Sequence, residues 1–230
     1  MSGTSQSGVN TNVAWFKGNH EYVEGQARLV CYQNMRRSVE HEIRGVEALL
    51  DVGNGGFFNY DTSLVKHVTA VDLFLPDGPG PDPNTAYRRG SVLELPFPDD
   101  SFDCVLAQNV LHHVTGRTGR ENHANLDAAV GEMYRCLRAG GKAVLIESTV
   151  NAAFHWFEGL VFRGARWITI GGHPLTFQFT PRHIIRSGLA AGFRVEEFAY
   201  VPRGWCVLQF GYRWPSLLTP ARPIKLILTR

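Results

Sequence analysis

The segment ALLDVGNGG, residues 48–56, most restricts what this chain can fold into. A short apolar run that stops at glycines reads as a buried strand entering a tight turn. Glycines there let the backbone pass close against a ligand and leave amide N–H groups exposed at a sheet's carboxyl edge. Alone, such a turn is a common object. Twenty-one residues after Asp51, however, a second apolar run, HVTAVD, ends at Asp72. A carboxylate at that place can accept hydrogen bonds from both hydroxyls of a ribose. Together the two segments predict a nucleoside cradle where two neighbouring parallel strands end. The dinucleotide fingerprint G-x-G-x-x-G does not fit, because counting from Gly53 the third glycine falls on Phe58.

The rest of the chain supplies strands and helices in alternation. Before the first strand, Val23, Ala27, Val30, Cys31, Met35, Val39, Ile43 and Val46 recur at helical spacing, which predicts one long or two short helices over 22–49, weakest at Gly25 and Gly45. Residues 74–84 hold four prolines and two glycines and read as a loop. Further strands are expected at 87–92, 102–108, 142–147, 193–201 and 205–212, with Pro202-Arg203-Gly204 as a turn. Leu126, Ala129, Val130, Met133 and Leu137 mark an amphipathic helix stopped by Gly140-Gly141. Thr180-Pro181 and Gly192 bracket another helix. This alternation predicts an α/β fold with a mostly parallel sheet. Whether 205–212 or 224–229 supplies the last strand stays open.

Composition narrows the class. Apolar residues are 44% of the 230 and charged ones 19%, enough for a sizeable core and unlike a disordered or fibrous chain. No apolar run reaches the roughly 18 residues of a membrane-spanning helix, and the polar start MSGTSQSGVNTN lacks the regions of a signal peptide. Four scattered cysteines without a CxxC pair argue against a disulfide framework or a zinc site, so no metal and a cytoplasmic location are expected. Charge is uneven: residues 51–150 carry thirteen acidic and eight basic side chains, and residues 151–230 carry three and ten. The basic last third could face an anion. No consecutive basic block occurs, which favours arginines scattered on a solvated face and disfavours a nucleic-acid partner.

The motifs DVGNGG, VD at 71–72, GSVLELPFPDDSFDCVLAQNVLHHV at 90–114 and EMYRCLRAGGKAVLIEST at 132–149 resemble, in this order, the class I S-adenosyl-L-methionine-dependent methyltransferases. The subgroup most resembled includes the quinone-biosynthesis (type 11) enzymes. The resemblance covers roughly residues 46–150, with a weaker echo at 179–195. It implies a Rossmann-like three-layer sandwich with a seven-stranded sheet and S-adenosyl-L-methionine as cofactor. It also implies roles residue by residue. Asp51, Gly53 and Gly55 would line the methionine part, Asp72 would bind the ribose, Leu73, Ser91 and Val92 would flank the adenine, and Asn109 would lie near the sulfonium. The chain departs from the family at Phe57, where a third glycine is common, at Ser91, where an acid is common, and in loop 74–84, where a helix is usual.

Candidate bases are His113, His112 and Glu147, with His173 as a further alternative. Histidine titrates near neutral pH and suits proton transfer, but a lone histidine is more often simply packed. Two adjacent histidines cannot share a helix face, so one is expected inward, with His113 preferred. They are not spaced like a metal site. Glu147 stands near a strand's carboxyl end, where active-site groups collect, or is a buried acid satisfied by backbone. Residues 151–179 hold seven large aromatics, Phe154, Trp156, Phe157, Phe162, Trp167, Phe177 and Phe179, beside Arg163, Arg166 and His173. They read equally as a cap over an acceptor or as core, with a homodimer interface as the other use. The expected organisation is an N-terminal helical lid segment at 1–45, in which Trp15, Phe16 and Tyr22 would close the site. A methyltransferase domain at 46–230 follows, with a cap insertion at about 151–179. The expected activity is methyl transfer to a small-molecule acceptor, first at oxygen of a secondary metabolite or sugar. Carbon of a quinone or lipid is the alternative, and a donor-fold binding or scaffold protein without catalysis is the rival from another class.

Overall fold

A computed structural model describes residues 29–75, 77–165, 176–202 and 221–230. Trp15, Phe16, Tyr22, Arg166, Trp167, His173 and the expected strand at 205–212 lie outside these. The described chain runs α1 (Val30–Ile43), β1 (Ala48–Val52), β2 (His67–Asp72), β3 (Gly78–Pro79), β4 (Thr85–Arg89), β5 (Phe102–Gln108), α2 (Gly119–Cys136), β6 (Leu137–Thr149), α3 (Ala152–Ala165), α4 (Pro181–Ala191), β7 (Arg194–Tyr200) and β8 (Arg222–Thr229). Single 3-10 turns stand at Thr62–Leu64 and Leu111–His113.

Among the described residues the sheet has eight strands in the order β3-β4-β2-β1-β5-β6-β8-β7, one more than the seven expected. The extra strand is β3, two residues of the Pro/Gly loop that fold back antiparallel on the β4 edge. An edge is where a proline, lacking a backbone donor, is tolerated. From β4 through β6 every pairing is parallel. β8 then pairs antiparallel with both β6 and β7, so residues 222–229 fill the last sheet place left open by the sequence. β1 leads to β2 on one side and receives β5 on the other. That reversal opens a crevice at the carboxyl ends of these strands, the usual ligand position in open α/β sheets.

The central strands are buried on both faces because helices cover both. On one face Met35, Val39 and Ile43, four residues apart along α1, pack against Leu49, Val68, Cys104, Leu106 and Val144. On the other, Leu126, Ala129, Val130 and Met133 of α2 and Ile184 of α4 pack against Leu50, Val105, Ala143 and Leu145. α1 stops just before Gly45, which takes φ +77°. α4 has the expected ends: Thr180 Oγ1 accepts from the His183 amide, Pro181 opens the first turn, and Gly192 closes the helix in the left-handed region.

Gly140-Gly141 does not stop α2. The helix ends at Cys136, and β6 starts at Leu137, pairs with Phe102 and bulges before Lys142 pairs with Cys104. A Cβ on Gly141 would lie 2.9 Å from the Arg138 carbonyl oxygen and 3.0 Å from that of Asp103. The glycine therefore serves a close backbone approach inside the strand.

Glu42 fastens α1 to the sheet, 3.0 Å from Lys142 Nζ on β6 and 3.1 Å from Lys225 Nζ on β8. Burial pushes its carboxyl upward, but the two ammonium groups outweigh that and hold it below the usual range. A depressed carboxylate stabilises above its unfolded pKa and loses that contribution as pH falls through the folded value. Glu42→Gln is therefore expected to cost about 2 kcal/mol in urea unfolding at pH 7. The gap should close in acid, as pH falls below the ordinary carboxylate range and the parent carboxyl takes up its proton.

Candidate functional site

The loops after β1, β2, β5 and β6 meet at the crevice. After β1 the chain turns at Gly53, whose amide donates to the Val71 carbonyl at 2.8 Å. Gly53 has φ +67°, and an added Cβ would lie 2.6 Å from both methyl carbons of Val110, the residue opening the 3-10 turn after β5. Both facts demand glycine. Asn54 stitches the turn. Its Nδ2 donates to Asp51 Oδ2 (2.5 Å) and to the Phe57 carbonyl (2.9 Å), and its Oδ1 accepts from the Gly56 amide (3.0 Å).

Asp51 is 3% exposed and also accepts from the Tyr60 hydroxyl at 2.8 Å. Burial raises its carboxyl to about 7, against the two hydrogen bonds that lower it and with the help of the nearby Asp72 charge. The phenol of Tyr60 is pushed far upward by burial and by Asp51, so it stays a donor. At the end of β2, Asp72 Oδ2 accepts the Gly55 amide at 3.0 Å. Burial lifts this carboxyl to about 6, although the amides of Gly55, Leu73 and Phe74 all donate to it. Two carboxyls raised by burial thus stand beside a glycine turn.

The other expected donor contacts surround this pair. The Gly90 amide donates to the Asp72 carbonyl at 3.0 Å, which brings the following turn alongside. In that turn Ser91 Oγ accepts from the Leu93 amide at 3.2 Å, and Val92 packs on the core margin. Strand β4 spans 85–89 and not 87–92, so Ser91 and Val92 belong to the loop beyond it. Leu73 is half-buried at the start of the next loop. Asn109 takes φ +54°, and its amide donates to Ile146 O at 2.8 Å. Its Nδ2 lies 3.7 Å from Met35 Sδ, while its Oδ1 is buried with no hydrogen-bond partner among the described residues. A buried acceptor without a donor costs energy unless a ligand supplies one.

Two of the candidate bases form one unit. Glu147, 1% exposed, accepts the Val110 amide at 3.1 Å and the Leu111 amide at 2.7 Å through Oε2. Its Oε1 accepts the Ser148 amide at 2.7 Å and meets His112 Nδ1 in a short contact. A carboxylate accepting from this many groups is a holder of other groups more than a free base. Of the adjacent pair it is His112, not the expected His113, that is buried, with Nδ1 committed to Glu147, so Nε2 is its remaining nitrogen. The His113 ring lies 4.2 Å from it, centroid to centroid.

The aromatic segment divides. Phe162, Phe177 and Phe179 are buried in the core, and Phe154, Trp156 and Phe157 on α3 are exposed. The Phe177 amide donates to the His112 carbonyl at 2.9 Å, which ties the strand-like stretch before α4 to the histidine turn. Glu158 of α3 accepts the Gln178 amide at 2.9 Å, and burial lifts its carboxyl to about 7. Sequence reasoning missed Asn54, Tyr60 and Val110, all of which act on residues it had named. No spacing rule connects Tyr60 to Asp51 or Val110 to Gly53.

Residues 50–145 match the family model described as a methyltransferase domain. The demethylmenaquinone methyltransferase of Porphyromonas gingivalis is 28% identical over 144 residues, 59% of this chain and 55% of that protein. The ubiquinone/menaquinone biosynthesis C-methyltransferase of Xanthomonas oryzae is 42% identical over 72 residues, 31% of this chain and 24% of that protein. The aligned part of this chain thus spans between about a quarter and just over half of these relatives. Geranyl diphosphate methyltransferase, solved in complex with S-adenosylmethionine, superposes with a TM-score of 0.57 over 86% of this chain and 85% of that one. At 11% identity it shows a shared fold.

The raised Asp51 carboxyl makes a test of site electrostatics without any ligand. A carboxyl lifted by folding destabilises the native state above its folded pKa, and the cost disappears as pH falls toward the unfolded value. Asp51→Asn removes the charge while keeping an acceptor oxygen for Tyr60. From pH 5 to pH 8 the variant should gain stability relative to the parent by roughly 3 kcal/mol, read by urea unfolding at each pH. A constant difference would mean Asp51 carries an ordinary carboxylate.

Proposed function

We propose that this chain, whose residues 50–145 match a methyltransferase domain, uses S-adenosylmethionine to transfer a methyl group to a small acceptor bearing an ionisable ring hydroxyl. The observation that carries this reading is the meeting of the Gly55 amide and the Asp72 carboxylate at a topological switch point. A carboxylate has about four acceptor positions, so Asp72 keeps capacity for ribose hydroxyls beyond its backbone amides. Asp51 and Gly53 would face the methionine end, and Leu73 and Val92 would pack on the adenine with the Ser91 hydroxyl at its amine. The unpartnered Oδ1 of Asn109 suits a cationic amino group. When bound, the donor supplies a methyl group already activated by a sulfonium.

The chain's own work is then positioning, exclusion of water and removal of a proton. His112 is the proposed base. Glu147 holds Nδ1 and fixes the ring, leaving Nε2 to take the hydroxyl proton. Glu147 is then a positioning residue, and His113 flanks the ring. A phenolate made in this way is nucleophilic at oxygen and at the adjacent ring carbon. Oxygen is the expectation from the sequence. The relatives named for demethylmenaquinone and for ubiquinone/menaquinone C-methylation support carbon of a quinol ring. Carbon-13 NMR of product made with a labelled methyl donor separates O–CH3 from C–CH3.

Asp72→Ala should weaken binding of S-adenosylhomocysteine about a hundredfold by calorimetry, with an unchanged far-ultraviolet circular dichroism spectrum. Unchanged affinity contradicts the ribose role. His112→Ala should lower turnover roughly a hundredfold while donor affinity moves less than about threefold. Loss of both in proportion would show that His112 only shapes the fold.

A further inference from the structure

Away from the glycine turn, three histidines from three helices converge: His123 on α2, His155 on α3 and His183 on α4. One ring nitrogen from each lies within 4.8 Å of the others. Ring centroids are 5.3 Å apart for His123 and His155, 4.6 Å for His123 and His183, and 4.4 Å for His155 and His183. Phe177 and Phe179 pack edge-on against His123, so the cluster has an apolar wall. All three histidines are partly buried, which leaves an approach from solvent.

Two of the rings are already oriented. His155 Nδ1 is 2.7 Å from the Gln178 carbonyl oxygen. A carbonyl only accepts, so that nitrogen carries the hydrogen and Nε2 keeps its lone pair. His183 Nδ1 stands 3.1 Å from Thr180 Oγ1, again leaving Nε2. Metal-ligating histidines commonly show this pattern, one nitrogen bound to backbone or hydroxyl and the other free.

We propose that His123, His155 and His183 bind one divalent transition-metal ion, with zinc as the representative, leaving its fourth position to water. Three imidazoles, with no carboxylate in the cluster among the described residues, suit zinc, cobalt, nickel or copper and not magnesium or calcium, which need oxygen donors. Zinc–nitrogen bonds of about 2.0–2.1 Å place ligand nitrogens roughly 3.4 Å apart, so small side-chain rotations close the cluster. The ion clamps α2, α3 and α4 together. It also stiffens residues 177–180, which bond His155 through the Gln178 carbonyl and the His112 carbonyl through the Phe177 amide. The site is independent of the methyl-donor reading.

The test uses the full chain, stripped with a chelator and titrated with zinc chloride by calorimetry. One equivalent should bind with a Kd of about micromolar or tighter and raise the melting temperature. Cobalt(II) should give the visible absorption of a four-coordinate nitrogen site. His155→Gln and, separately, His123→Gln should each weaken zinc binding at least about tenfold and abolish the cobalt band, while the metal-free melting temperature stays within a few degrees of the parent. Absence of zinc binding to the parent chain overturns the proposal. So does equal binding by both variants, which would place the ion elsewhere, for example at His112 and His113.

Discussion

The hydrogen bond from the Gly55 amide to the Asp72 carboxylate joins the ends of two strands, and the rest of the crevice is arranged around it. It exists because β1 and β2 pair in parallel with Asp51 opposite Ala70 and Val52 opposite Val71. In that register both strands deliver their last residues to the same edge. The turn between them is then forced close: Gly53 bonds Val71, and Val110 leaves no room for a side chain at Gly53. Burial of Asp51 and Asp72 raises both carboxyls. A cation or hydroxyl donor placed there relieves a cost that folding has already imposed.

A second carboxylate organises the other half of the site. Glu147 reaches back from β6 to hold two amides of the turn after β5 and the ring of His112. The parallel pairing of β5 and β6, with Gln108 opposite Ile146, puts these residues within reach. Phe177 then bonds the same turn from the far side through the His112 carbonyl. The glycine turn and the histidine turn therefore share one edge of the sheet, as the proposed in-line transfer requires.

Much of this was legible in the residues. ALLDV, HVTAVD and FDCVLAQ are apolar runs of strand length, and each forms the strand expected. Thr180-Pro181 and Gly192 mark their helix because capping is local chemistry. The errors came where tertiary contacts decide. Gly140-Gly141 looks like a helix stop, but it answers a carbonyl close by in space. The two-residue β3 carries no periodicity at all. Glu147 and His112 read as rival bases because nothing in a string of letters says that residues 35 apart will touch. The three histidines were invisible for the same reason, lying 32 and 28 residues apart on separate helices.

The most direct test of the central claim is a crystal structure of this chain with S-adenosylhomocysteine bound. The account predicts both ribose hydroxyls within hydrogen-bond distance of the Asp72 carboxylate, with the amino-acid end against Gly53 and Asn109. A nucleoside bound elsewhere, or a crevice that stays closed by its own side chains while Asp72 serves only the backbone amides, would contradict it.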